Sequence, residues 1–185
     1  MWCSSSSRTA RRRLCLALAA WPLVGTAPAR AAATDAAGPE AALAALQRWG
    51  SGEFRRFGFL VYEATLWAGA AEPTRPPLAL QLTYRRRIDG RDIAQASIDQ
   101  MRRFNADESR LRHWGDQLTR LFPDVRPGDR ILGLHLPNQA RFFHNDRPLG
   151  VVEGAAFAAT FFAIWLDPRT SEPGLRAALL SKAGN

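Results

Sequence analysis

The chain has 185 residues, 46% of them hydrophobic and 23% charged, with a formal net charge of +8; that composition argues against disorder and low complexity and suits one globular domain. No apolar run reaches the roughly 18 residues that a membrane-spanning helix needs, so no transmembrane segment is expected. Nothing recurs at a fixed spacing, which leaves repeat architectures without support.

Arg8, Arg11, Arg12 and Arg13 precede an apolar stretch from Leu14 to Val24, and the small residues of Thr26-Ala27-Pro28-Ala29-Arg30-Ala31 follow at cleavage spacing. That order reads as a secretory signal peptide over residues 1–31 and predicts a periplasmic protein. Arg12-Arg13 leaves a twin-arginine route open beside the general secretory one. Cleavage after Ala31 leaves 154 residues; it removes five arginines and no acid, so 20 basic residues remain against 17 acidic ones, a net charge of +3. Much of the basicity then belongs to the leader, and nucleic acid is not expected as a partner. Cys3 and Cys15 leave with it, so no disulfide, thiolate nucleophile or Cys-based metal site is expected in the mature chain.

Residues 32–43 are set apart as a flexible lead and 44–182 as the domain. Helix-like composition runs over 40–49, and Gly50-Ser51-Gly52 breaks it. A long strand is expected over 55–67, covered on both faces near its middle, because Phe57, Phe59 and Val61 fall on one parity and Leu60, Tyr62 and Leu66 on the other. After a Pro-rich loop at 72–77, Leu78, Leu80, Leu82 and Tyr84 alternate with polar or small residues, the period of a half-buried strand with its polar face outward. Asp89-Gly90 turns the chain into a helix with Asp89 as N-cap and a stripe of Ile93, Ser97, Met101 and Phe104. Asn105 to Glu108 has capping-box spacing, and Leu111, Trp114, Leu118 and Leu121 predict a second helix that Pro123 ends. Strands over 131–136, 140–144 and 147–152 form a meander, joined by Pro137-Asn138-Gln139 and then by Asn145-Asp146, which tolerates positive φ. A nearly all-apolar helix over 155–166 is too short to span a bilayer and is expected to be buried; Asp167-Pro168 stops it, and a last helix runs through Leu180. Two strands, two helices, three strands and two helices without βαβ alternation predict an α+β fold, an antiparallel sheet with helices layered on one side.

Few residues offer chemistry. With Leu136 opposite Ala140, His135 would share a face with Arg141 and Phe143 while His144 falls on the other, so the histidines, His113 included, read as isolated rather than as metal ligands; a one-residue slip would bring His135 and His144 to one side. No Gly-x-Ser-x-Gly elbow supports a catalytic triad. Arg55 and Arg56 begin the long strand, and alternation requires one of them to point inward, where a guanidinium needs an anionic or carbonyl partner. Arg85-Arg86-Arg87 reads as a solvated strand edge.

Several segments taken in order resemble the chalcone isomerase-like domains, in particular an exported bacterial branch. They are Gly50-Ser51-Gly52-Glu53-Phe54-Arg55 leading into Gly58-Phe59-Leu60-Val61-Tyr62-Glu63-Ala64-Thr65-Leu66-Trp67, then Leu82-Thr83-Tyr84-Arg85-Arg86-Arg87-Ile88, then Phe122-Pro123-Asp124-Val125 with Gly128-Asp129, and Phe161-Phe162-Ala163-Ile164-Trp165-Leu166-Asp167-Pro168. The likeness extends from Ala44 to Leu180. It implies an open-faced β-sandwich, a long curved antiparallel sheet against a layer of helices, with an apolar ligand held between them. In the plant enzymes of the family an Arg at the start of the long strand polarises the substrate ketone; Arg55 matches it, with Arg56 as the substitute if a bulge shifts the register. The rest of that catalytic set departs, because the enzymes' strand threonine falls on Phe57 and their helix tyrosine and asparagine fall on Ile93 and Gln100. Fatty-acid-binding members keep an Arg and a Tyr, for which Tyr62 or Tyr84 could serve, and Phe59 joins the expected apolar wall.

The expected function is therefore a periplasmic, non-catalytic domain binding a small apolar molecule, fatty-acid-like or flavonoid-like, whose anionic or carbonyl end meets Arg55. Two alternatives stay open: an intramolecular lyase acting on chalcone-like enones with Arg55 catalytic, and a structural or interaction module without ligand, working at the membrane surface or with an envelope protein partner. No cofactor and no metal are expected.

Overall fold

The computed structural model describes residues 38–69, 71–105 and 107–182, so the expected signal peptide and residues 32–37 of the expected lead lie outside the described residues. Among the described residues six strands form one open antiparallel sheet in chain order: β1 (Gln47–Arg56), β2 (Phe59–Ala68), β3 (Leu78–Tyr84), β4 (Arg130–Leu136), β5 (Gln139–His144) and β6 (Arg147–Glu153). The short helix α1 (Pro39–Ala44) precedes the sheet. Two more, α2 (Gly90–Met101) and α3 (Glu108–Leu121), lie between β3 and β4, and α4 (Ala155–Leu166) and α5 (Pro173–Leu180) follow β6. The α+β fold is as the element order predicts, with α2 to α5 on one sheet face and only the short α1 on the other.

Alternation builds the main core. Ala64, Leu66 and Ala68 of β2 and Leu78, Leu80, Leu82 and Tyr84 of β3 turn the same way and meet Phe157, Phe161, Phe162 and Trp165 of α4. The large side chains of α4 are all buried, as its composition predicts, while Ala155, Ala156 and Ala159 mark an exposed stripe. Against the opposite sheet face α1 lays Ala42 and Leu43 over Ala79, Leu132, Leu134 and Phe143, a second, smaller cluster. Residues 39–43, expected as flexible lead, are thus ordered, and the outward face of β3 is covered at Ala79 rather than solvated.

The expected single strand over 55–67 is in fact the end of one strand and most of the next. A two-residue turn at Phe57-Gly58 divides them, Arg56 pairing with Phe59. Both turn residues have positive φ, 51° and 81°, the pattern of a type I′ hairpin. Apolar residues fell on both parities because Phe57 and Phe59 sit at the hairpin end, outside the core, while Ala64 and Leu66 point into it. The expected break at Gly50-Ser51-Gly52 is inside β1. A Cβ on Gly50 would collide with the carbonyl oxygen of Ala178 and stand 2.6 Å from that of Leu179, and one on Gly52 would stand 2.8 Å from Leu175 Cδ1. These glycines let α5 lie directly on the strand.

Two caps also differ from expectation. Asp107, not Asn105, caps α3, its carboxylate accepting from Arg110 N at 3.1 Å, while the Asn105 side chain accepts from Asp107 N. Asp89 precedes α2, but its side chain makes no cap; Gly90 N donates instead to Asp124 Oδ1 at 2.9 Å, across a β-bridge between Ile88 and Val125. The β4–β5 register pairs Leu136 with Gln139 and Ile131 with His144, so the connection has two residues rather than three. His135 and His144 consequently share a sheet face, yet stand four strand positions apart, roughly 13 Å at the rise of a strand.

Candidate functional site

A cavity of about 730 Å³ separates the helix-covered face of the sheet from α2 and α4. Its floor is Tyr62, Leu80, Leu82 and Tyr84 with Ile131, Gly133 and Phe142; its roof is Ile93, Ser97 and Gln100 of α2 and Phe161, Ile164 and Trp165 of α4. Gly133 leaves room where a Cβ would press on the Phe162 ring at 3.1 Å. Charged residues gather at the exposed margin: Arg56, Arg86 and Arg87, and Asp92, Asp99 and Glu172.

Polar groups inside are few. Trp165 Nε1 donates to Tyr62 Oη at 3.0 Å, which fixes the phenol while leaving its own proton available to an acceptor in the cavity. Tyr62 stacks on Phe54 with ring centres 4.9 Å apart and meets Tyr84 edge-on at 6.0 Å. The Tyr84 phenol has no hydrogen-bond partner among the described residues. Burial raises both phenols well above the ordinary tyrosine value; in Tyr62 the Trp165 hydrogen bond offsets part of the rise and the charge of Glu172 adds a little. Both are therefore neutral donors at any physiological pH. Ser97 Oγ is spent on Ile93 O at 2.8 Å, and Gln100 Oε1 accepts from Ser171 Oγ at 2.9 Å. Such a site can hold an apolar body and a single anionic or carbonyl end. It contains no nucleophile with an adjacent base, and among the described residues no cluster of His, Cys, Asp and Glu could bind a metal.

Of the residues singled out in the sequence, Arg56, Tyr62, Tyr84, Ile93 and Gln100 line this cavity and Arg55, Phe57 and Phe59 do not. Glu53 and Arg55 share the opposite face of β1 and pair there, Arg55 Nη2 lying 2.7 Å from Glu53 Oε2. Phe54 and Arg56 take the cavity side. The register shift beyond Phe54 leaves Val61 unpaired on β2, which lets both Val61 and Tyr62 reach the cavity. Phe57 and Phe59 project at the hairpin end. The residues missed were Arg86 and Arg87, read as solvated edge, and Trp165, read as core. Continuing the alternation one step past Tyr84 would have put Arg86 on the cavity side.

The chalcone isomerase-like family model matches residues 42–181, and the chain belongs to that family. It is similar to an uncharacterised protein of Haemophilus influenzae, 28% identical over 135 residues that cover 72% of this chain and 67% of the relative. Its structure is similar to that of a fatty-acid binding protein of Arabidopsis thaliana, with a TM-score of 0.57 over 74% of this chain and 87% of the plant chain. At 11% identity that likeness speaks for the fold alone.

Proposed function

We propose that this protein is an exported, periplasmic binding protein for a small apolar acid or ketone, without catalytic turnover. The observation that carries the reading is the cavity itself, an apolar chamber of about 730 Å³ with neutral phenol donors inside and unpaired arginines at its margin. Its volume falls within the range of pockets that enclose most of a small ligand. In this reading the ligand's apolar body lies between β3 and α4, and its polar end meets Arg56 and the phenol of Tyr84. The fold shared with a fatty-acid binding protein supports a fatty-acyl ligand, and the ordered arginine, apolar and small-residue segments of the N-terminus support export. Arg55 pairs with Glu53 outside the cavity and Arg56 takes the cavity side in its place, but Ile93, apolar in the roof where the resemblance puts the enzymes' tyrosine, argues against the ketone-polarising chemistry of the family's enzymes.

The test is native mass spectrometry of the protein purified after expression of the full-length chain, before and after incubation with mixed fatty acids and chalcones. Wild type and Arg55→Ala should carry or take up an apolar acid or ketone, while Arg56→Ala should bind it about tenfold more weakly, the loss of one hydrogen bond to a charged group. A wild-type protein that takes up nothing from the pool overturns the reading; equal uptake by all three proteins removes Arg56 from it.

A further inference from the structure

The β1–β2 hairpin ends in two phenylalanines that no core covers. Phe57 is 87% exposed and Phe59 59%. Phe57 also holds a φ of +51°, a left-handed conformation that Asn or Gly adopts readily and a bulky side chain adopts under strain. A residue that is apolar, exposed and strained contributes little to the folded chain, and strain of this kind collects where it serves a function. Cations stand over both rings. The Arg56 guanidinium carbon lies 5.4 Å from the centre of the Phe57 ring and that of Arg86 4.5 Å from the centre of Phe59. Arg55 and Arg85 are neutralised by Glu53 and Glu63. Arg56, Arg86 and Arg87 make no ion pair among the described residues, so these three guanidinium groups beside the two rings are available to an anion.

We propose that this hairpin end docks on the surface of an anionic lipid bilayer, with Phe57 and Phe59 entering the boundary between headgroups and acyl chains and Arg56, Arg86 and Arg87 engaging lipid phosphates. Aromatic rings settle at that boundary, and an arginine fork matches a phosphate with two parallel hydrogen bonds. The shape favours lipid over a protein partner: two rings projecting from a convex turn would each need a pocket in a protein, whereas a fluid interface accepts both. Docking in this way sets the cavity margin against the membrane. Arg56 is shared with the proposed ligand site, whereas Phe57 and Phe59 lie outside the cavity, so variants of the two rings read docking separately from ligand binding.

The experiment is vesicle flotation of the protein purified from the full-length chain, using phosphatidylcholine vesicles and vesicles that also contain about a third phosphatidylglycerol. Wild type should float with the anionic vesicles and bind the neutral ones at least tenfold more weakly, since each unpaired arginine near a charged surface contributes roughly fivefold. Phe57→Ser/Phe59→Ser should lose at least tenfold on anionic vesicles while keeping the wild-type circular dichroism and a melting temperature within a few degrees of wild type, because both rings are mostly exposed and touch only surface arginines. Phe57→Trp should keep wild-type binding and add fluorescence quenched by brominated lipid. Any N-terminal arginines retained are common to every variant, so the contrast reads the hairpin alone. The proposal is overturned if the double serine variant binds as wild type does, if neutral and anionic vesicles bind equally, or if wild type floats with neither; the last result would point to a protein partner.

Discussion

His135 lies flat against Phe162, ring centres 4.8 Å apart and planes at 17°, with Nδ1 buried and unpartnered among the described residues. Burial pushes its pKa from the ordinary 6.5 down to about 4. The unfolded chain therefore binds this proton first as the pH falls, and the folded state loses stability between about pH 6.5 and pH 4, after which the loss levels off. The full effect is about 3 kcal/mol, from the 1.4 kcal/mol that each pKa unit represents. Urea unfolding of wild type and His135→Leu at pH 7 and pH 4 checks it: wild type should lose about 3 kcal/mol more than the variant. Equal losses in the two proteins would mean that the imidazole keeps its proton in the fold. The same scale holds the difference between Arg55 and Arg56, since adjacent strand residues point to opposite faces and only one of them can reach the cavity.

At the scale of elements, the contact between β1 and α5 depends on two missing side chains. Gly50 and Gly52 bring the edge strand against the last helix so closely that the backbone carbonyls of Ala178 and Leu179 occupy the space where a Cβ of residue 50 would go. Backbone cannot move aside as a flexible side chain can, so Gly50→Ala should destabilise by about 3 kcal/mol, the upper range of overpacking. Chemical denaturation measures it; a loss below about 0.5 kcal/mol, the range of an ordinary surface change, would show that the helix simply slides away. The helix α2 is held by a different device, a cap borrowed from Asp124 after α3. That contact ties the start of the cavity's roof to Phe122, part of the cavity wall.

At the scale of the whole molecule, the sheet and the helices enclose a chamber beside their common core. Filling it is the direct test of its role. Ile93→Trp adds an aromatic ring from the roof into space the protein leaves open, so the variant should fold with a melting temperature within a few degrees of wild type, well short of the loss that core overpacking brings. Addition of a fatty acid should raise the melting temperature of wild type by mass action and leave that of the variant unmoved. A variant that responds to fatty acid as wild type does would place binding elsewhere on the protein.

Local chemistry in the sequence determined most elements. The alternation of Leu78 to Tyr84, the amphipathic repeat from Leu111 to Leu121, the positive-φ pair Asn145-Asp146 and the apolar run of residues 155–166 each specify their structure within a few residues, and the structure agrees with them. The sequence by itself also specified the α+β class and resembled the family that the chain belongs to. Tertiary structure decided what depends on registration between distant segments. Gly50 and Gly52 read as breakers because the helix that occupies their empty side arrives more than a hundred residues later. Phe57-Gly58 read as strand because a Phe gives no turn signal. Once that turn was missed, which arginine faced the cavity, and whether Arg86 did, could not be read, since a side chain's face is set by counting from the turn and shifts with each bulge.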